Sequence, residues 1–269
     1  MCGEASQAGA RSPVVVDAFA PTSAAQPMRG APERERAARG APLEPSLRVG
    51  DDLGGDAPAR IGPNAILQTR RALAERHGAA AVRALDTDAA LPEVLPPGMI
   101  PEAWFVRAVA ALRARLPRAE AEAVLAASGR YTAEYVRAHR IPRPIRGLLA
   151  LLPARLALPA LLAAVRRHAW TFAGAGTFRV EGGFPGTLVL EACPTCRALA
   201  PGAAGAGQAM EPSSRRGGAY YEAAFEGLLS LASPRVRVVE TQCVADGAPH
   251  CRFELTLAPR RRDVRGDTP

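Results

Sequence analysis

Four of the chain's five cysteines fall in two pairs: Cys193-Pro194-Thr195-Cys196, and Cys243 with Cys251, spaced evenly around Gly247 and followed by Phe253. Two thiolates on one tight turn can take adjacent corners of a tetrahedral Zn²⁺ ion at about 2.3 Å each. The wider second pair reaches the other two corners if Gly247 turns a hairpin that sets Cys243 beside Cys251 across two strands. Cys193, Cys196, Cys243 and Cys251 are therefore the candidate metal ligands. His250, beside Cys251, is a substitute ligand of suitable chemistry. Glu191 and Glu240 lie near the cysteines in sequence and read as groups that orient ligands or as plain strand charges. No catalytic residue can be assigned: Glu102 and Glu134 are remote from these two in sequence, and no Ser/His/Asp nucleophile arrangement is legible.

The elements that must position these thiols can be read from periodicity and proline placement. Pro63 suits a helix start, with Ile66, Leu67 and Leu73 forming an apolar stripe until Gly78 stops it, and a second short helix over 79–85. A proline-rich loop over 91–101 precedes a helix over 102–116, and Pro117 permits another through Arg137. Residues 147–165 are almost entirely Leu, Ala, Val and Pro. Arg155, Pro153 and Pro159 argue against a membrane span, so a buried or surface-dipping helix is expected. From Thr177 the period changes to that of strands. Hairpins are expected over 177–191 and 236–257, with a helix over 220–231 between them. The fold class is α+β, with helices packed on an antiparallel sheet.

Composition bounds the rest. The 34 basic residues are all arginine, a coding bias toward GC-rich codons as much as a functional choice. Residues 1–59 hold six arginines against eight acidic residues, a net −2, so the remainder carries +10 and the chain sums to +8. That segment, rich in Ala, Pro and Gly, is expected to be a disordered extension. The folded domain is placed at 60–258 and a basic tail at 259–269. No zinc-finger His pair, RNP motif or basic heptad region selects nucleic acid as a partner. Nor does a basic stretch followed by a long apolar run mark a secretory leader, so a cytosolic location with free thiols is expected.

The spaced set Cys243, Gly247, Cys251 and Phe253, after a helix rich in Tyr and Phe, resembles the end of the 4-vinyl reductase domain. That domain is a small-molecule-binding module similar in fold to the Bet-type subunits of the TRAPP vesicle-tethering complex. With Ile61-Gly62-Pro63-Asn64 near the start and Cys193-Pro-Thr-Cys196, the resemblance spans roughly 61–257 and points to members of the family in bacteriochlorophyll biosynthesis. It implies a TRAPP-subunit-like ligand-binding domain, a divinyl (proto)chlorophyllide ligand, and a part in reducing its 8-vinyl group, the 4-vinyl group of older ring numbering.

Two readings follow from that implication. In one, the protein binds or delivers the pigment to a separate reductase and the thiolates hold structural zinc. In the other, it is itself the oxidoreductase, with an iron–sulfur cluster or the thiols as electron or proton donors. No NAD or flavin motif is visible: the run of Gly202, Gly205 and Gly207 follows no strand and has the wrong order for a dinucleotide fingerprint. A third reading is a structural tethering protein. The resemblance also implies pairing of two copies and a cytoplasmic location, peripheral to the photosynthetic membrane. For a magnesium tetrapyrrole, His168 and, second to it, His139 are candidate axial ligands. Trp104, Phe105, Trp170 and Phe172 are candidate stacking faces, and Tyr131, Tyr135, Tyr220 and Tyr221 candidate edge residues. His168, Trp170, Trp104 and Tyr221 form the selected ligand-binding set. Arg166 and Arg167 could grip the propionate, although a solvated helix face is the plainer expectation.

Overall fold

Both expected hairpins form, and they join into a single sheet. In this computed structural model, which describes residues 58–199 and 217–259, the sheet comprises β3 (Phe178–Glu181), β4 (Thr187–Leu190), β5 (Val236–Gln242) and β6 (Cys251–Leu257). Its order is β3-β4-β6-β5 and every pairing is antiparallel. The alternation in β6 is clear: Cys251, Phe253 and Leu255 face the core while Glu254 and Thr256 face outward. A two-residue ribbon, β1 (Arg60–Ile61) with β2 (Ile100–Pro101), stands apart from this sheet. The expected extension over 1–59 and tail over 259–269 lie outside the described residues except for positions 58, 59 and 259, as do Gly202, Gly205 and Gly207.

The helices before the sheet are α1 (Asn64–Asp88), α2 (Glu102–Arg115) and α3 (Arg118–His139). Helix α1 is interrupted where Gly78 takes φ 80° and ψ 170°, at the residue expected to stop it. Prolines 63, 101 and 117 each sit immediately before a helix, where a fixed φ favours entry and the missing amide costs little. After β4 come α6 (Pro194–Arg197) and then α7 (Ala219–Leu229). Helices α3 and α7 pack through glycines. A Cβ on Gly129 would collide with the Tyr220 carbonyl, and one on Gly227 would lie 2.8 Å from the Ala133 Cβ. Between the helices and the sheet, Phe172, Phe178, Tyr221, Phe225 and Phe253 interlock, with ring centroids 5.2–6.4 Å apart in mostly tilted or edge-on pairs. This is the α+β arrangement of helices on an antiparallel sheet.

The apolar stretch 147–165 does not make one helix. It divides into α4 (Arg143–Leu151) and α5 (Ala154–Arg167), with Leu152 extended at ψ 146° between them. Pro153 is the cause, since its ring disfavours helical backbone at the preceding residue. Among the described residues no helix is long and apolar enough to cross a membrane.

Strand β5 lies at the sheet edge, and α7 covers its free amides with carboxylates. Glu226 Oε2 accepts from the Val238 amide at 3.1 Å, and Glu222 Oε1 from the Glu240 amide at 2.5 Å. The edge is thereby closed to pairing with another strand.

Candidate metal centre

The β5–β6 hairpin carries a bulge that decides which side chains meet. Glu240 pairs with Phe253 and Gln242 with Arg252, so β5 holds one extra residue between those positions. Under strict alternation Glu240 and Cys243, three apart, would point to opposite faces. The extra residue resets the pattern, and both turn inward, 2% and 1% exposed. A single 3-10 turn, Val244–Asp246, then leads into Gly247, whose φ of 90° is the left-handed conformation that glycine adopts without strain. The chain returns at Cys251.

Helix α6 brings the other pair. Cys193 occupies its N-cap and Cys196 lies within it. The Cys196 sulfur is 3.3 Å from that of Cys243, 3.3 Å from that of Cys251 and 3.9 Å from Glu240 Oε1. Ligand atoms of Cys196, Glu240, Cys243 and Cys251 all lie within 4.8 Å of one another. Cys193 adjoins this group, its sulfur 3.2 Å from Thr195 Oγ1 and in hydrogen-bonding contact with Cys196 and Cys251. All four cysteines are free and buried. Their 3.3 Å separations far exceed a disulfide bond of about 2.05 Å. They fall a few tenths of an ångström short of the roughly 3.8 Å between two sulfurs on tetrahedral Zn²⁺. Small side-chain rotations therefore suffice to admit an ion.

The four cysteines named from sequence are thus brought together, and the structure adds Glu240 as a fifth donor. His250 is not among the converging groups. Glu191, the other nearby carboxylate, is instead engaged by Thr177 and Arg179. The residue order announces no bulge, so from sequence Glu240 reads equally as a group that orients ligands or as a plain strand charge.

Neighbouring elements close tightly on the cluster. A Cβ on Gly218 would come within 2.7 Å of the Glu240 carboxyl carbon, and one on Gly217 within 3.1 Å of the Cys196 sulfur. The Gly218 amide donates to Glu240 Oε2 at 3.1 Å. From α2, Arg113 reaches both loops, donating to the Thr195 carbonyl at 2.8 Å and the Gly217 carbonyl at 3.4 Å. Glu102, 3% exposed, pairs with Arg197 at the end of α6 and accepts from the Ala175 amide at 3.1 Å. Helix α6 is therefore anchored on both sides of Cys196.

The electrostatics match a site built for a cation. Burial pushes the Glu240 carboxyl up to about 9, with negative charge at Cys243 and Cys193 adding to the effect. Donation from Cys196 and Cys251 holds the Cys243 thiol far below its usual value. Cys193 is also lowered: burial opposes ionisation there, but bonds from Cys196, Cys251 and Thr195 prevail. The donors move the other way, Cys196 and Cys251 both being raised chiefly by their bonds to Cys193. The lowered thiols, Cys193 and Cys243, thus alternate with the raised ones, Cys196 and Cys251, because adjacent buried thiolates repel. A thiophilic dication fits this donor set, since it replaces the shared protons and compensates the charge.

The ligand-binding residues named from sequence occupy different settings. His168, the C-cap of α5, is exposed, and Trp170 just beyond it is 47% exposed. Trp104 is half-buried on α2. Tyr221 is a core residue whose hydroxyl donates to the Phe172 carbonyl at 3.0 Å. Burial raises its pKa well above the usual value, and thiolate charge at Cys193 raises it further. Tyr131 and Tyr135 have partners of their own: Arg71 stacks on Tyr131 at 3.8 Å, and Tyr135 stacks on His139 at 4.4 Å. A cleft of about 440 Å³ between α3, α7 and β5 is lined by Arg130, Glu222, Glu226 and Arg237 among others, and by none of the four selected residues.

Comparison with known proteins gives two relatives. The protein named bacteriochlorophyll synthase 23 kDa chain from Cereibacter sphaeroides is 40% identical over 205 residues, covering 75% of this chain and 93% of the relative. Its namesake from Rhodobacter capsulatus is 38% identical over 212 residues, covering 76% and 92%. No family model matches the chain.

Proposed function

The chain belongs to the family of the bacteriochlorophyll synthase 23 kDa chain, and from that premise we propose that it binds a divinyl (proto)chlorophyllide and delivers it for reduction of its 8-vinyl group by a separate enzyme. In this reading residues 60–258 are a 4-vinyl reductase domain, and the cysteine–glutamate cluster holds a structural zinc ion. The pathway comes from the relatives. The burial of the donor atoms carries the choice of carrier over catalyst.

A catalytic zinc keeps one position open to water or substrate, whereas a structural one is closed by protein. The four cysteines are 0–1% exposed and Glu240 is 2% exposed, and the aromatic core packs beside them. Among the described residues these sulfurs are buried, which leaves a substrate vinyl group no exposed thiol to meet. When bound, the ion supplies cross-linking of α6 to the hairpin. Cys196, Cys243, Cys251 and Glu240 would hold it, with Cys193 as the alternative fourth ligand. Pigment binding falls to the exposed pair His168 and Trp170, an imidazole and an indole two residues apart near the α5 terminus. Tyr221 holds the Phe172 carbonyl just past this pair, and Trp104 packs half-buried against the core.

The test joins metal analysis to pigment titration. Protein purified without oxygen is expected to carry one zinc per chain and no visible iron–sulfur absorption. Divinyl protochlorophyllide should bind with a shifted absorption band, and His168→Ala should abolish the shift. A brown, iron-containing sample that converts the vinyl group to ethyl when given a reductant alone would replace the carrier with a catalyst. Zinc-replete protein that leaves the pigment spectrum unchanged would remove the pigment role altogether.

A further inference from the structure

Helix α4 presents an apolar face that the described residues do not cover. Of its residues only Leu149 is buried. Ile145, Leu148 and Leu151 follow one another at three-residue intervals on one side of the helix, and are 47%, 54% and 85% exposed. Leu156, in the first turn of α5 just past the Pro153 break, is 56% exposed. Four large aliphatic side chains on two successive short helices thus face solvent. Scattered exposed leucines need no explanation, but a consecutive set of this kind marks an interaction surface.

The charge around this face is of one sign. From Arg140 to Trp170 the chain carries Arg140, Arg143, Arg146, Arg155, Arg166 and Arg167, and no aspartate or glutamate. None of the six makes an ion pair with a described residue. Arg143 and Arg146 lie on α4 itself, on the side away from Ile145 and Leu148. Elsewhere nine of the sixteen described arginines make ion pairs, among them Arg70 with Asp86, Arg113 with Glu122, Arg179 with Glu191 and Arg252 with Glu181. The segment whose apolar side chains are uncovered is therefore also a run in which no arginine is neutralised by a described carboxylate.

We infer that α4 and the start of α5 dock the protein on an anionic lipid bilayer. The helices would lie in the plane of the interface, with Ile145, Leu148, Leu151 and Leu156 among the acyl chains and the arginines at the phosphates. An apolar stripe flanked by cations on a helix too short to span is the pattern of interfacial helices, and anionic headgroups attract each such arginine. A second copy of this chain is the less suitable occupant, because a symmetric pairing through the same face would oppose two acid-free arginine belts.

Vesicle flotation with the full chain tests the assignment. Binding is expected to vesicles of equimolar phosphatidylglycerol and phosphatidylcholine but not to phosphatidylcholine alone, and to weaken as salt is raised. The double variant Leu148→Glu, Leu151→Glu should lose at least about tenfold in vesicle affinity, and so should Arg143→Glu, Arg146→Glu. Neither should lower the melting temperature, since all four side chains lie at the surface. Failure to float with the anionic vesicles, or flotation that ignores both variants, would overturn the inference. So would a dimer that the leucine variant splits into monomers while flotation stays unchanged, which would give the face to a second copy.

Discussion

Glu240 is the residue on which the cluster's charge turns. Its carboxyl is raised to about 9, so without an ion it holds its proton at neutral pH, and with one it becomes an anionic ligand. Replacing Glu240 with Ala should lower bound zinc and speed its loss to a chelator, whereas Glu191→Ala, outside the cluster, should leave metal content unchanged. Equal retention by both variants would restore Cys193 as the fourth ligand. Gly218→Ala offers a sharper probe: its new Cβ, 2.7 Å from the Glu240 carboxyl carbon, must displace that side chain and is expected to reproduce the Glu240→Ala phenotype in metal assays. Acidification works in one direction for any of these ligand sets. Thiol and carboxyl ligands bind metal only when deprotonated, so metal content should fall as pH is lowered. The four cysteines were legible from type and spacing, because a Cys-x-x-Cys turn and a glycine-centred hairpin announce themselves. Glu240 was not, because a bulge leaves no mark in the residue pattern and strict alternation sends Glu240 and Cys243 to opposite faces. Tyr221, a candidate edge residue for the ligand, is a core residue whose hydroxyl donates to the Phe172 carbonyl.

Short helices and hairpins hold the donors in place, and two contacts between elements carry that task. The first joins α2 to α6 through Glu102 and Arg197. Replacing Arg197 with Leu would strand the buried Glu102 carboxylate. Breaking a fully buried pair costs about 3–5 kcal/mol, and Arg197 is 38% exposed, so a loss of about 2 kcal/mol is expected in denaturant unfolding. The variant should also weaken metal retention, since α6 carries Cys196. The second contact is the glycine packing of α3 on α7. Gly129→Ala should destabilise the protein by about 1–3 kcal/mol, because the added methyl meets a backbone carbonyl that cannot rotate away. A melting temperature equal to that of the parent would show that the two helices can separate freely. Helices α1, α2 and α3 were readable because prolines mark their starts and apolar residues keep the helical period. Residues 147–165 were not divided correctly: a uniformly apolar stretch has no period to break, and only the extended backbone that Pro153 imposes on Leu152 separates α4 from α5.

At the scale of the whole molecule, the cluster fastens regions distant in sequence. Cys196 meets Cys243 and Cys251 across separations of 47 and 55 residues. An ion holding them closes a long loop, and constraints of that kind restrict the unfolded chain most. The bonds also fix the β5–β6 hairpin against α6, while Glu102 and Arg113 fix α6 against α2, so the sheet and the helical layer share one joint. The four-stranded sheet is small and relies on α7 to close its edge. Loss of the joint should therefore lower global stability rather than loosen one loop. Ligand linkage makes the size calculable: an ion at a thousandfold excess over its dissociation constant contributes about 4 kcal/mol, and a domain of this size shifts by about 2–4 °C per kcal/mol. Chelation is then expected to lower the melting temperature by about 10 °C, and added zinc to restore it. Calorimetry of the full chain with and without a chelator measures this directly, with Cys251→Ser as the control that should already melt low and respond to neither treatment. If the parent protein melted at the same temperature in chelator, the joint would be held by packing and shared protons alone, and the thiols would be free for chemistry.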